Sequence, residues 1–187
     1  MKTFIKNYIQ DSIDTKSKIL ADEVLTGKIE KAAETIINAY KVLTAGNGGS
    51  AGDAQHIAAE LVSKFFLERP ALCAIALTTN TSILTSVGND YEHKLVFARQ
   101  IEAHANSGDV FIAISTSGNS QNILYAIKAA KKKGVTVIGL VGGKASEMDN
   151  LCDITIKVPF EITPIIQESH IMIGHIICAL VEKAMFA

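Results

Sequence analysis

The sequence has 187 residues, of which 48% are hydrophobic and 20% are charged, and its formal net charge is −1. A chain of this length and composition can bury the core of one domain. Its balanced charge argues against a nucleic-acid surface, which normally carries a basic stripe. The cysteines Cys73, Cys152 and Cys178 form no C-x-x-C motif, which is typical of free thiols in a reducing cytosol. Since we find no signal-peptide core and no apolar run long enough to span a bilayer, we expect a soluble cytoplasmic protein without a membrane partner.

The first forty residues predict two helices and no strand. Apolar residues at helical spacing predict helices over residues 3–25 and 28–41, with Gly27 between them. The first helix is apolar over much of its surface, so it either packs on its own domain or docks on a partner subunit. We expect the segment 1–41 to contribute to oligomer packing.

From Val42 onward, short apolar runs alternate with amphipathic segments. This alternation predicts a parallel sheet with helices on both faces, which is an α/β domain. Strands are predicted over residues 42–45, 73–77, 109–115, 135–141 and 153–158. Helices are predicted over residues 51–64, 83–87, 91–103, 121–133 and 163–185. Ligands bind such sheets beyond the carboxyl ends of the strands, where the loops are 46–50, 78–81 with 88–90 nearby, and 115–120.

The loop after the third predicted strand is rich in hydroxyl groups. The apolar run 110–114 leads into Ser-Thr-Ser-Gly-Asn-Ser at 115–120, and a helix is predicted from residue 121. Such a loop directs backbone N–H groups and the positive end of the helix dipole at one point. We interpret it as a site for a phosphate monoester, the alternative being an ordinary capped turn. The hydroxyl donors are Ser115, Thr116, Ser117 and Ser120.

Two nucleotide-binding motifs are missing from the sequence. No segment matches G-x-x-x-x-G-K-[ST], which disfavours a nucleoside triphosphate as the ligand. The glycine-rich turn at 46–50 does not match G-x-G-x-x-G with a downstream acid, which disfavours a dinucleotide.

A second group of polar residues falls on two predicted helices. His56 and Glu60 are four residues apart and share one helix face, where they either chelate a metal ion or hydrogen-bond to each other. The last helix carries Gln167, Glu168, His170 and His175 among apolar residues, and buried polar groups need partners. For His175 the alternatives are a core histidine that donates to a carbonyl and a ligand or proton shuttle.

The spacing of Gln167 and His175 bears on how they could act together. They are eight residues apart, which corresponds to a rise of about 12 Å along a helix axis. The two side chains therefore reach one metal ion either from opposite sides or from different subunits. In the second case the active site lies at an interface, and the protein is an oligomer.

Taken together, these segments resemble the sugar isomerase (SIS) domain over essentially the whole chain. The serine-rich loop alone identifies only the SIS superfamily, but its combination with the four candidate metal ligands is similar to the phosphoheptose isomerase family. The matching segments are Gly-Asn-Gly-Gly-Ser at 46–50, His56 with Glu60, Asn89-Asp90, Ser-Thr-Ser-Gly-Asn-Ser at 115–120, and Gln167-Glu168-x-His170 with His175.

The resemblance implies a flavodoxin-like three-layer sandwich with a five-stranded parallel sheet, formed by one SIS domain over residues 1–187. It also implies a homotetramer with active sites at subunit interfaces. The reaction would convert sedoheptulose 7-phosphate to D-glycero-D-manno-heptose 7-phosphate and supply heptose to lipopolysaccharide or other surface glycans. One zinc ion per subunit would be held by His56, Glu60, Gln167 and His175. Substrate contacts would come from Asn47, Gly48, Gly49, Glu60, Asn89, Asp90, Ser115, Thr116, Ser117, Ser120 and Gln167.

Such an isomerase moves a proton between adjacent carbons through an enediolate, so it needs a base near the carbons and an acid near the oxygens. We assign Glu60 as the base and His175 as the acid/base at the oxygens. Zinc would polarise the carbonyl. A metal-bound Glu60 is a poorer base, so either the substrate displaces it or the metal is chiefly structural.

Three other functions fit parts of the pattern. A non-catalytic SIS protein of the replication-initiator-binding type is disfavoured because the metal and acid/base positions are all filled. A sugar-phosphate-sensing regulator is disfavoured because we see no basic helix-turn-helix. An isomerase of a pentose or hexose phosphate remains open, since a phosphate cradle does not sense the length of the sugar.

Overall fold

The computed structural model describes residues 1–187 and contains a parallel sheet of five strands in the order β2-β1-β3-β4-β5. This order confirms the flavodoxin-like sandwich. All six residues of β3 are buried, which explains the uninterrupted apolar run at this position. The strand order reverses between β1 and β3, and a ligand crevice opens at such a point. The strands are β1 (Val42–Ala45), β2 (Ala74–Ala76), β3 (Val110–Ser115), β4 (Thr136–Val141) and β5 (Ile154–Lys157).

Helices cover both faces of this sheet. Side chains alternate along β3, so that Ile112 and Ile114 face one apolar core and Phe111 and Ala113 face the other. The first core lies under α2, α3 and α8, and the second lies under α5, α6 and α7. The helices are α1 (Lys2–Ala21), α2 (Glu23–Ile37), α3 (Gly49–Val62), α4 (Thr81–Asp90), α5 (Ala98–His104), α6 (Gln121–Lys132), α7 (Met148–Leu151) and α8 (Thr163–Phe186), with a 3₁₀ turn at His93–Leu95.

The break between the first two helices is at Asp22, and the prediction of a break at Gly27 is wrong. The Asp22 carboxylate accepts a hydrogen bond from the Leu25 N–H at 3.0 Å and caps α2. An aspartate cap satisfies an N–H group that a helix start otherwise leaves free, whereas one exposed glycine only weakens a helix. Gly27 accordingly lies inside α2, which ends at Ile37.

Two further boundaries differ from the prediction. Residues 88–90 are the last turn of α4 and not a loop, and the predicted helix 91–103 divides into the 3₁₀ turn and α5. The short helix α7 was not predicted at all. Four-residue helices lie below the length at which an apolar period can be recognised.

The last helix corrects the expectation that no apolar segment is long enough to span a bilayer. Thr163–Phe186 has 24 residues and a mean hydropathy of 1.4 over its most apolar window, and 50% of that window is buried within the protein. Its Ile173, Ile177 and Val181 pack into the first core with α2 and α3. The high hydropathy of α8 is that of a core helix.

Candidate active site

The serine-rich loop forms a compact cluster of hydroxyl groups at the carboxyl end of β3. The buried Ser115 Oγ lies 3.0 Å from Ser120 Oγ and 3.5 Å from Ser117 Oγ. Gly118 turns the loop with a φ of +64°, a conformation that other residues rarely adopt. The predicted hydroxyl donors at 115, 117 and 120 are therefore together in the folded chain.

The same loop offers backbone N–H groups for an anion. The N–H groups of Ser117, Ser120, Gln121 and Asn122 have no acceptor within the protein, and the last two open the helix α6. Free N–H groups and hydroxyl donors at a helix N-terminus favour a phosphate group. The alternative of a capped turn lacks its central feature, because Ser120 makes no side-chain capping bond to α6.

The glycine-rich turn 46–50 lies beside this loop. The Asn47 side chain exchanges two hydrogen bonds with that of Asn122, at 2.9 and 2.8 Å. A cleft of about 190 Å³ opens at the turn and is lined in part by Asn47, Gly48, Thr78 and His93. The turns after β1 and β2 thus share one cleft, as their position at the carboxyl edge predicts.

Three of the four predicted metal ligands meet where α3 packs against α8. His56 Nε2 lies 2.9 Å from Glu60 Oε1 and 3.3 Å from His175 Nε2, and donor atoms of all three lie within 4.8 Å of one another. Two imidazole nitrogens and a carboxylate oxygen match the set that catalytic zinc sites use with an open fourth position. The residues present therefore fit a metal ion.

Close helix packing brings the two histidines together. The helices α3 and α8 run in parallel, and a Cβ at Gly174 would lie 2.8 Å from the Ile57 side chain. Glycine at this position lets the helices approach closely. His56 and His175 are the sequence neighbours of Ile57 and Gly174, so the same contact sets their spacing.

Gln167 lies at another level of this helix pair. Its Nε2 is 3.4 Å from Ser50 Oγ, and Ser50 precedes His56 by six residues, a rise of about 9 Å along α3. Within one chain Gln167 contacts the start of α3 and not the histidine cluster, so its role as the fourth ligand stays a prediction. The buried Ser50 is a polar residue of the site that sequence reasoning missed, although it belongs to the Gly-Asn-Gly-Gly-Ser turn.

Asn89 and Asp90 end α4 and are exposed. Their only side-chain hydrogen bond in the chain joins Asn89 Nδ2 to Asp90 Oδ1 at 2.8 Å. They make no hydrogen bond to the serine-rich loop or to the histidines, and their assignment to the substrate stays a prediction.

Asp53 is a second residue that sequence reasoning missed. It lies one turn before His56 on α3, and its buried Oδ2 has no hydrogen-bond partner. Burial raises the pKa of Asp53 to about 6, and His56 opposes that shift. The sequence contained a sign of this position, because Asp53 precedes His56 by three residues and Glu60 by seven, which places all three on one face of the helix.

His170, and not His175, is the core histidine. It is fully buried, and its Nε2 lies 3.1 Å from the Val141 carbonyl oxygen, to which it donates. Burial lowers the pKa of His170 to about 4, against the opposing effect of this bond. His175 is only partly buried and faces His56, which supports the alternative of a ligand or proton shuttle.

A buried ion pair between Arg69 and Glu182 holds the segment 65–67, which follows α3. Glu182 accepts hydrogen bonds from the N–H groups of Phe65, Phe66 and Leu67 and from Arg69 Nε. Burial by itself would raise the pKa of Glu182, but these donors outweigh it and lower the pKa to about 2. Arg69 also donates to the Glu60 carbonyl at 2.8 Å, so the pair fixes the helix end that carries a predicted ligand.

Comparisons with known proteins agree with this architecture. A family model described as the SIS domain matches residues 7–142. A phosphoheptose isomerase of Aneurinibacillus thermoaerophilus is 56% identical over 100% of this chain and 96% of its own length. One from Clostridium acetobutylicum is likewise 56% identical, over 100% of this chain and 97% of its own.

Solved structures extend the agreement to three dimensions. The phosphoheptose isomerase of Francisella tularensis superposes with a TM-score of 0.92 at 37% identity, covering 97% of each chain. That of Neisseria gonorrhoeae superposes with a TM-score of 0.90 at 38% identity, covering 97% of this chain and 98% of its own. By its sequence and its fold, the chain belongs to the SIS domain family and, within it, to the phosphoheptose isomerases.

Proposed function

We propose that this chain converts sedoheptulose 7-phosphate to D-glycero-D-manno-heptose 7-phosphate through an enediolate. The observation that supports this reaction best is the cluster of His56, Glu60 and His175, because it combines a carboxylate base with imidazole groups in a chain of the isomerase family. The serine-rich loop supplies a place for the phosphate.

The roles follow from the chemistry of each group. The loop 115–120 and the N-terminus of α6 bind the phosphate and set the position of the sugar. Glu60 removes a proton from one carbon and returns it to its neighbour, while His175 exchanges protons with the two oxygens. Arg69, paired with Glu182, donates to the backbone carbonyl of Glu60 and so holds the helix end that carries this carboxylate.

Zinc is the metal that we assign to the cluster, at one ion per subunit. His56, Glu60 and His175 would hold it, with Gln167 of a neighbouring subunit as the fourth ligand. When bound, the ion polarises the carbonyl and stabilises negative charge on oxygen. We assign further substrate contacts to Asn47, Gly48, Gly49, Asn89, Asp90, Ser115, Thr116, Ser117, Ser120 and Gln167.

We also propose that the chain, one SIS domain over residues 1–187, forms a homotetramer with active sites at its interfaces. Four apolar residues of α1, Phe4, Ile5, Ile9 and Ile13, are 72%, 55%, 53% and 51% exposed. An apolar groove of about 360 Å³ lies between α1, α2 and α8. Segment 1–41 and the outer face of α8 are the surfaces that we assign to subunit packing. The product would enter heptose supply for lipopolysaccharide, capsule or other surface glycans from the cytoplasm.

The first test is turnover with and without metal. Chelator-treated protein is incubated with sedoheptulose 7-phosphate, with and without added zinc, and the aldose phosphate is followed by proton NMR. We expect conversion that depends on zinc. His56→Ala should not convert the substrate even with added zinc. His104→Ala, at an exposed histidine of α5 outside the cluster, should convert it as the wild-type protein does.

The other outcomes discriminate among the alternatives. Conversion without metal would keep the reaction and overturn the catalytic role of zinc. No conversion by folded protein under either condition would overturn the proposal, and it would favour another sugar phosphate or a partner-binding SIS protein.

A further inference from the structure

Asn47 and Asn122 form a closed pair of side-chain amides. Asn47 Nδ2 donates to Asn122 Oδ1 at 2.9 Å, and Asn122 Nδ2 donates to Asn47 Oδ1 at 2.8 Å. The two residues are 75 positions apart in the sequence. Asn122 is 4% exposed in the first turn of α6, whereas Asn47 is exposed in the turn before α3.

This pair lies at the point where the strand order reverses. Asn47 follows β1 and Asn122 follows β3, and these strands are neighbours in the sheet. The crevice of a flavodoxin-like sheet opens between these two connections. The amide pair therefore joins the turn 46–50 to the start of α6, the helix that follows the loop 115–120.

The pairing also decides which edge of the Asn47 amide faces the crevice. Each amide has two N–H donors and an oxygen with two lone pairs, and the pair uses one donor and one acceptor of each. Rotating the Asn47 amide by half a turn would place oxygen against oxygen and nitrogen against nitrogen. An exposed asparagine otherwise has a broad, nearly two-fold choice of this torsion.

We propose that Asn122 is a positioning residue for substrate binding, which acts by locking the orientation of the Asn47 amide. The remaining N–H of Asn47 is then held toward the crevice as a donor for a sugar hydroxyl or phosphate oxygen. This inference rests on the proposed function only in assigning Asn47 to the substrate. The lock itself is a property of the unliganded protein.

A double-mutant cycle tests the lock. Turnover of sedoheptulose 7-phosphate is measured for the wild-type protein, Asn47→Ala, Asn122→Ala and the double variant. We expect Asn122→Ala to lower kcat/KM by about tenfold, chiefly through KM, because two hydrogen bonds that orient Asn47 are lost. In the Asn47→Ala background the same change should cost about twofold or less. Equal losses in both backgrounds, or no loss in either, would overturn the proposal.

Gln100→Ala is the matched control. The Gln100 amide is also 4% exposed, and it donates to the Leu77 and Val96 carbonyls at 2.9 Å each. Gln100→Ala and Asn122→Ala should both lower the unfolding temperature, but Gln100→Ala should leave KM unchanged. A rise in KM equal to that of Asn122→Ala would assign the effect to general destabilisation and overturn the lock.

A second readout does not depend on turnover. The Asn47 side-chain N–H₂ protons are observed by ¹⁵N-resolved NMR in protein without substrate. We expect Asn122→Ala to speed their exchange with solvent by about tenfold, and an unchanged rate would overturn the lock. If the wild-type protein does not convert the substrate but the exchange rate changes, the proposed reaction fails and the lock stands.

Discussion

Glu60 carries two roles that compete for one carboxylate. It lies 2.9 Å from His56 as a predicted metal ligand, and it is also the proposed base. A carboxylate that donates its lone pairs to a metal is a weaker base. If a metal were bound, either the substrate would replace Glu60 as its ligand or the metal would be chiefly structural. Arg69 holds the backbone carbonyl of Glu60, so a change of partner for the carboxylate would come from rotation of the side chain alone.

The first prediction concerns this carboxylate. Glu60→Gln should lower kcat by about a thousandfold, because an amide cannot accept the substrate proton. Glu68→Gln, at an exposed glutamate beyond the same helix, should retain full turnover. Kinetics of both variants and their elution in size-exclusion chromatography check the prediction. Near-normal turnover by Glu60→Gln would contradict the assignment of the base.

His170 predicts a pH dependence of stability. The pKa of His170 is about 4 in the folded protein and 6.5 in an ordinary environment, so below pH 6.5 the unfolded chain binds a proton that the folded chain refuses. The contribution of His170 to the free energy of unfolding should therefore rise by about 3 kcal/mol from pH 4 to pH 6.5 and level off above. The raised pKa of Asp53 acts in the opposite direction over much of this range. Urea unfolding of metal-free protein across this range measures the slope. Over this pH range the free energy of unfolding of His170→Gln should rise by about 3 kcal/mol less than that of the wild-type protein. The same pH dependence in both proteins would contradict the prediction.

In the proposed site, the loop between β3 and α6 binds the phosphate through hydroxyl and N–H donors of several residues together. Ser115→Ala should raise KM about tenfold with little change in kcat, because one donor to the phosphate is lost while the reacting carbons stay in place. Ser17→Ala, at an exposed hydroxyl on α1 that bonds to its own helix, serves as the control. Steady-state kinetics give both constants, and an unchanged KM for Ser115→Ala would count against phosphate binding by this loop.

Elements with a strong local pattern could be predicted from the sequence. The run 110–114 predicts a buried strand because it is apolar without interruption, and all six residues of β3 are indeed buried. The parallel sheet follows from the alternation of elements. The boundary between the first two helices was predicted wrongly because two local signals competed. The cap at Asp22 decided the first break, whereas the glycine at 27 did not interrupt α2.

The candidate site was predictable only in part, because some of its contacts join residues that are far apart in the sequence. His56 and Glu60 share a helix face by spacing alone, so their meeting could be inferred. The approach of His175 depends on Gly174 allowing α8 to contact Ile57, and the Asn47–Asn122 pair joins residues 75 positions apart. Such contacts depend on tertiary packing, which no sequence period encodes.

The assembly of the whole molecule can be tested at α1. Replacing Ile9 and Ile13 together by lysine should yield a species smaller than the tetramer, because charges would be buried in an apolar contact. Light scattering coupled to size-exclusion chromatography measures the mass. Gln10→Lys, at a polar exposed position of the same helix, should leave the mass unchanged. A tetramer in the double variant would show that this face of α1 lies outside the interface.

The position of α8 in the sequence determines when the core can be covered during synthesis. Of the elements described, it leaves the ribosome last, yet it covers the core formed by α2 and α3 and carries His175. Until it emerges, the apolar faces of α2 and α3 have no cover, and the nascent chain is a substrate for chaperones. Chains that stop after β5 would expose this core permanently, so incomplete translation products should be removed by proteolysis and not accumulate as inactive enzyme.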